Sequence, residues 1–370
     1  RIAAGMILDS NVGDESVNIA MWAEKFKSDK PKKGFIIRAD RLEMTNSRFL
    51  YVNDSLRVYK GGIDEMDYGY FEIKNIDFHS TDFTINRDDI SFRISDICFD
   101  QYTGFKLLAG KGNFRINNKN LICEDGHFVT PYSSAFLDLT FNYYDWSSYS
   151  EFVDSVMFDA VVRPSSLSMK DIACFAPSLK GMDETFVLTG LVKGPVNKLS
   201  IDEFVVHYGN STSLAGDLVI GNAAEEENLN FNLNLLDARL NISDLLLFTL
   251  PGGDTISIPK QFANAGAIKV NGYFFGELTK FETQVNLYSD AGDLFANLVV
   301  DDDAGNLTYE GRFASKNFNL GKILPNQKYL GIVSLNSKIT GTAESPKYSD
   351  NFSKSIKAHL EGDAGRFDFY

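Results

Sequence analysis

The stretch Phe186–Leu235, FVLTGLVKGPVNKLSIDEFVVHYGNSTSLAGDLVIGNAAEEENLNFNLNL, decides the fold class. Phe186, Leu188, Gly190 and Val192 stand at alternate positions, as do Leu214, Gly216, Leu218 and Ile220. Leu229, Phe231, Leu233 and Leu235 alternate with Asn230, Asn232 and Asn234 without a break. Strand side chains point alternately to opposite faces, so a period of two predicts strands with one apolar and one wet face. Gly194-Pro195, Gly209-Asn210 and Gly221-Asn222 supply turn chemistry between them.

The pattern recurs. GLVKG at 190–194 corresponds to GYFFG at 272–276, and Leu214 and Leu218 correspond to Leu294 and Leu298. A partial third copy runs from Ile339-Thr340-Gly341 to Pro346. A repeat of about 80 residues predicts an elongated array of strands rather than one closed globule.

Of the 370 residues, 44% are hydrophobic and 23% charged, which is ample for a core. Phe (30) and Tyr (16) far outnumber Trp (2), in keeping with pleated surfaces. The net charge of −14 argues against nucleic acid and anionic membrane surfaces as partners, though not against apolar lipid tails. Cys98, Cys123 and Cys174 lack metal-ligand spacing and read as small buried hydrophobes. No run of about 18 apolar residues marks a membrane helix. The chain starts at Arg1-Ile2 and stops within a strand pattern at Phe369-Tyr370, so it reads as part of something longer.

Residues 14–28 fit a helix with Ile19, Trp22, Ala23 and Phe26 on one face, followed by a basic run, Lys25 to Lys33, that reads as a solvated linker. Strand patterns begin at Gly34. Short alternating runs, among them Phe71/Ile73, Ile76/Phe78 and Phe83/Ile85, with connections such as Ser80-Thr81-Asp82 and Asn117–Asn120, predict an antiparallel meander of about 25 strands. Three breaks read as short helices: 166–175, with Ser168 as N-cap and Asp171 in a capping box, then 243–248 and 319–324. Each opens a new unit, which divides the chain into 1–33, a first β segment 34–165, and units at 166–242, 243–318 and 319–370.

Such a sheet must hide its apolar face, as a pair of packed sheets or by curling along its length into a trough; a wide membrane barrel lacks its aromatic girdles here. The expected architecture is all-β, a long, curled, mainly antiparallel sheet forming an elongated apolar groove. Its lining is expected to include Leu188, Val192, Leu214, Leu218, Leu229, Phe231, Leu233, Val270, Phe274, Val285, Leu298 and Phe313. Glycines 190, 216, 272, 311 and 341 at lining positions either permit tight bending or leave room for a ligand.

Catalytic patterns are missing. His79, His127, His207 and His359 are isolated, and no nucleophile elbow, phosphate loop, dinucleotide fingerprint or zinc-protease motif occurs. Asp301-Asp302-Asp303 lacks calcium-loop spacing. The expectation is a non-enzyme without metal or cofactor.

The run KDIACFAPSLKGM (170–182), then Thr185-Phe186 and GLVKGP (190–195), resembles the TamB proteins of the Bacteroidetes type. FNLGKIL (318–324), Leu330-Gly331 and Ile339-Thr340-Gly341 continue the resemblance. TamB belongs to the AsmA-like bridge-forming lipid transport proteins. The resemblance implies a periplasmic protein of a Gram-negative bacterium, anchored in the inner membrane by a helix absent from this sequence. It further implies phospholipid moving along a β-groove toward an outer-membrane barrel partner of the TamA/TamL type. The alternatives are a structural or adhesive repeat protein whose apolar face is packed core, an assembly factor for outer-membrane barrels, and an enzyme on a β-helix such as a polysaccharide lyase.

Overall fold

A computed structural model describes residues 6–10, 36–53, 70–223, 228–250, 252–255, 260–303, 305–323, 330–344 and 355–369. The expected helix over 14–28 and the basic run behind it lie outside these residues.

The fold is all-β, a curled and mainly antiparallel sheet of eighteen described strands with a few short helices. The chain divides into two compact units, residues 1–188 with 249–254, and 189–248 with 255–370. The division falls inside a strand, not at a helix start.

The first unit holds β1 (Met6–Ser10), β2 (Ile36–Asn53), β3 (Tyr70–Asn86), β4 (Asp89–Gln101), β5 (Lys106–Ile116), β6 (Asn120–Val129), β7 (Ser134–Asn142) and β8 (Met157–Ser168). β1 runs parallel to β2; from β2 to β8 each strand pairs antiparallel with the next. Register aligns Ile85, Ile90, Ile116, Leu121, Phe141 and Phe158 in one apolar row. Beside that row, Phe92 stacks on Phe114 with centroids 5.5 Å apart. Between β7 and β8 sit a 3-10 turn (Trp146–Glu151) and α1 (Phe152–Ser155); α2 (Met169–Ile172) follows β8.

β9 (Thr185–Gly194) straddles the division and is hydrogen-bonded to β10 (Lys198–Tyr208). The second unit continues with β11 (Thr212–Gly221), β12 (Asn230–Leu240), α3 (Ile242–Leu245), β13 (Ile268–Glu277), β14 (Lys280–Ser289), β15 (Gly292–Asp303), β16 (Asn306–Asn319), α4 (Leu320–Ile323), β17 (Leu330–Glu344) and β18 (Lys357–Phe369). From β10 to β18 each strand again pairs antiparallel with the next.

Among the described residues strands run longer than the sequence suggests, and one apparent turn is a bulge. Ser80-Thr81-Asp82 lies inside the 17-residue β3, where Asp82 takes a left-handed conformation and the register slips without ending the ladder. Similar left-handed residues sit at slips in the ladders: Asp125 in β6, Glu203 in β10 and Asn317 in β16. Each is fastened from the next strand. The Asp125 N–H donates to Asp138 (2.7 Å), Glu203 N–H to Asp217 (2.9 Å) and Asn317 N–H to the Ser334 hydroxyl (2.9 Å). A bulge bends its strand and adds twist, so this repeated device curls the sheet within each unit.

Candidate functional site

In the second unit, register sorts the apolar side chains into four rows across β10–β18. The row nearest the β11–β12 and β13–β14 hairpins is Leu199, Ile220, Phe231, Gly276, Phe281, Val300, Tyr309, Gly341 and Ala358. Next come Ile201, Leu218, Leu233, Phe274, Thr283, Leu298, Gly311, Ile339 and Leu360. The third is Phe204, Gly216, Leu235, Gly272, Val285, Ala296, Phe313, Ser337 and Gly362. The fourth, nearest the helices, is Val206, Leu214, Ala238, Val270, Leu287, Leu294, Ser315, Leu335 and Ala364. None of these residues carries a charge.

Nine of the twelve expected lining residues therefore share this face: Leu214, Leu218, Phe231, Leu233, Val270, Phe274, Val285, Leu298 and Phe313. Leu188 and Val192 are half-buried at alternate positions of β9, in step with Gly190, whose absent Cβ would lie 3.4 Å from the Phe204 Cα. Leu229 is half-buried one residue before β12.

The face is not uniform. At its helix end, Ile242 of α3, Ala265, Ile268, Ala291, Phe318 and Ile323 of α4 form a buried cluster, with Leu240, Val270, Leu287, Leu294 and Leu320 packed against it. The helices thus cover the middle of the fourth row, where Val270, Leu287 and Leu294 pack against the cluster. In the other three rows Leu218, Phe231, Leu233, Phe274, Val285, Leu298 and Phe313 are partly buried and lie outside this cluster, while Phe204 and Val300 are buried.

Two floor glycines settle their own role. Gly272 and Gly311 have φ of +153° and +159°, and a Cβ on either would fall 1.9 Å from a carbonyl oxygen of the neighbouring strand, Gln284 or Asn297. The space beside them holds backbone, so these glycines permit tight bending and leave no cavity for a ligand. The sequence repeat is also structural: a Cβ on Gly194 or on Gly276 would lie 2.3 Å from the carbonyl oxygen of the lysine four residues on.

The short helices act as latches. Asn241 caps α3 through Ser243 N–H (2.8 Å), and Asp244 reaches back to the β10–β11 hairpin. Asp244 accepts from the backbone N–H groups of Asn210 (2.9 Å), Ser211 (3.0 Å) and Thr212 (3.0 Å), and from the Thr212 hydroxyl (2.9 Å). Burial works to raise its pKa, but these donors outweigh it and hold the carboxyl at about 2. Ser168 caps α2, as expected, whereas Asp171 makes no capping box. Its carboxylate takes the hydroxyls of Thr130 (2.6 Å) and Ser133 in the β6–β7 loop. In α4 the same position holds Lys322, whose ammonium donates to the Asp290 carbonyl (2.9 Å) in the β14–β15 hairpin. One geometry thus recurs three times with its charge inverted in the last copy.

The opposite face is polar, with Asn232, Asn234, Glu282, Glu310 and Lys338 exposed or half-exposed among isolated large residues such as Phe275 and Val299. A depression of about 690 Å³ on this face is edged by Asp301, Thr308, Glu310, Thr340, Lys357 and His359. Among the described residues no three His, Cys, Asp or Glu side chains converge as a metal site, and no helix is long and apolar enough to cross a membrane. Cys123 is buried while Cys98 and Cys174 are half-buried, and burial pushes the Cys123 thiol up to about 11. His127 stacks on Phe136, with its pKa lowered by burial and by Lys111, while His79 bonds Glu43 (3.2 Å).

Comparison with protein-family models, curated proteins and solved structures finds no match for this chain.

Proposed function

We propose that this chain is a segment of a lipid conduit, in which acyl chains lie along the apolar face of the second unit outside the cluster closed by the helices. The observation that supports it is the uncharged, partly exposed lane Leu218–Leu233–Phe274–Thr283–Leu298 across neighbouring strands, outside the cluster that the helices close. Transfer of each methylene from water to such a surface contributes about 0.8 kcal/mol, so a lane of this kind lowers the cost of a lipid's leaving a membrane. No reaction is involved: the ligand is phospholipid, and no single residue dominates a repetitive lining.

Taken with the resemblance to TamB, the reading is of a periplasmic bridge between inner and outer membrane. An inner-membrane anchor and an outer-membrane barrel partner would engage parts of the protein other than this segment. The test is native mass spectrometry of the purified protein. Co-purifying phospholipid, lost in Phe231→Asp and kept in Asn232→Asp, supports the conduit. A folded protein that takes up no lipid even after incubation with phospholipid makes the apolar face a packing surface and the protein a structural repeat.

A further inference from the structure

We propose that the polar face of the second unit docks an acidic segment of a partner protein, at the cationic pair Arg312–Lys338 and the exposed Val299 beside it. This site lies on the face opposite the lane assigned to lipid and does not depend on that assignment.

Register puts Arg312 of β16 directly opposite Lys338 of β17, both exposed on the same face. Like charges directly opposite each other on neighbouring strands repel, so the fold gains nothing from this pairing. Neutralising carboxylates are plentiful, since the chain has 50 acidic residues against 36 Lys and Arg. The unit's other two arginines use them: Arg239 meets Asp237 at 3.8 Å and Arg366 meets Asp368 at 2.8 Å. Glu310 stands two residues before Arg312, and Glu361 stands opposite Lys338 on β18. Among the described residues neither carboxylate closes an ion pair with these two cations. The guanidinium is nonetheless positioned. It donates to the Asn336 amide oxygen (3.2 Å), which draws it toward β17 and leaves other N–H groups to fork a carboxylate.

The pair edges a depression of about 500 Å³ that Val299, Glu310 and Asn336 also line. The 690 Å³ depression shares Val299 and Glu310 with it and adds Lys357 and His359. Asp301, the other acid there, is already paired with Lys280 at 3.0 Å. The patch is therefore cationic in a chain of net charge −14. Val299 is 49% exposed, and Phe275, two strands away in the same row, is 59% exposed. Large apolar side chains in a concave patch rimmed by charge are the anatomy of a protein contact. An acidic peptide segment with an apolar side chain complements it in both respects, whereas an anionic membrane would be repelled by the rest of the chain.

Fluorescence anisotropy with labelled synthetic peptides tests this on the whole chain. One peptide alternates Glu and Leu, the other Lys and Leu. The expected result is that only the Glu–Leu peptide binds, and that Arg312→Ser with Lys338→Ser weakens it about tenfold. Lys269→Ser with Lys316→Ser removes the same charge elsewhere on this face and should leave binding unchanged. All four side chains are exposed, so both double variants should fold. Equal weakening in the two would reduce the effect to net charge and overturn the site. Binding of neither peptide, or of the Lys–Leu peptide alone, would overturn it as well. So would binding of phosphatidylglycerol vesicles in place of the peptide.

Discussion

Two parts of one apolar face have the same composition and opposite fates. Ile268 is buried under the short helices with Val270, Leu287 and Leu294 packed partly buried against its cluster, whereas Phe274, Val285 and Leu298, one or two rows away on the same strands, are partly buried outside that cluster. What separates them is a few residues, the adjacent Ala265 and the sequence-distant Ile242 and Ile323, that fold over only one end of the strands. Alternation fixes which face is apolar; it does not fix what covers it.

The sharpest way to break this comparison is to truncate both parts. Ile268→Ala should cost about 3 kcal/mol, because a cavity opens in a closed cluster. Leu298→Ala should cost under about 1 kcal/mol, since its side chain already meets solvent. Denaturant melts of the two variants measure the difference, and equal losses would make the whole face a core.

A smaller effect separates the latches. Asp244→Ala leaves three backbone N–H groups without their acceptor and should destabilise the protein by about 3 kcal/mol, while Lys322→Ala loses one exposed bond and should cost under about 1 kcal/mol. The pH dependence has the matching sign. The Asp244 pKa falls to about 2 on folding, so its contribution is complete above the unfolded carboxylate's value of about 3.9 and fades as pH drops toward 2. Acid melts between these limits should show a loss on the order of 2 kcal/mol that Asp244→Asn removes.

Much of this was legible in the sequence. The period of two at Leu229–Leu235 and the recurrence of GLVKG as GYFFG identify the strands, their faces and the repeat, and nine lining positions fall on one face because register preserves parity between paired strands. Bulges were not read. Their signal was present: the apolar parity flips from Ile201 to Phe204 around Glu203, and from Phe313 and Ser315 to Phe318 around Asn317. Asp244 and Asp171 were unreadable as latches because their partners are backbone and hydroxyl groups more than thirty residues away. The packing of Val270 against the cluster was not legible because Ile242 and Ile323 come from distant short helices.

The most direct test of the central claim is binding of a phospholipid with an environment-sensitive fluorophore on its acyl chain, measured for Leu298→Glu and Val299→Glu. These neighbours sit on opposite faces of β15, so local chain context is matched. The account predicts that Leu298→Glu weakens binding at least tenfold while Val299→Glu binds as the unaltered protein does. Equal binding by the two variants, or the stronger loss at Val299, would contradict it.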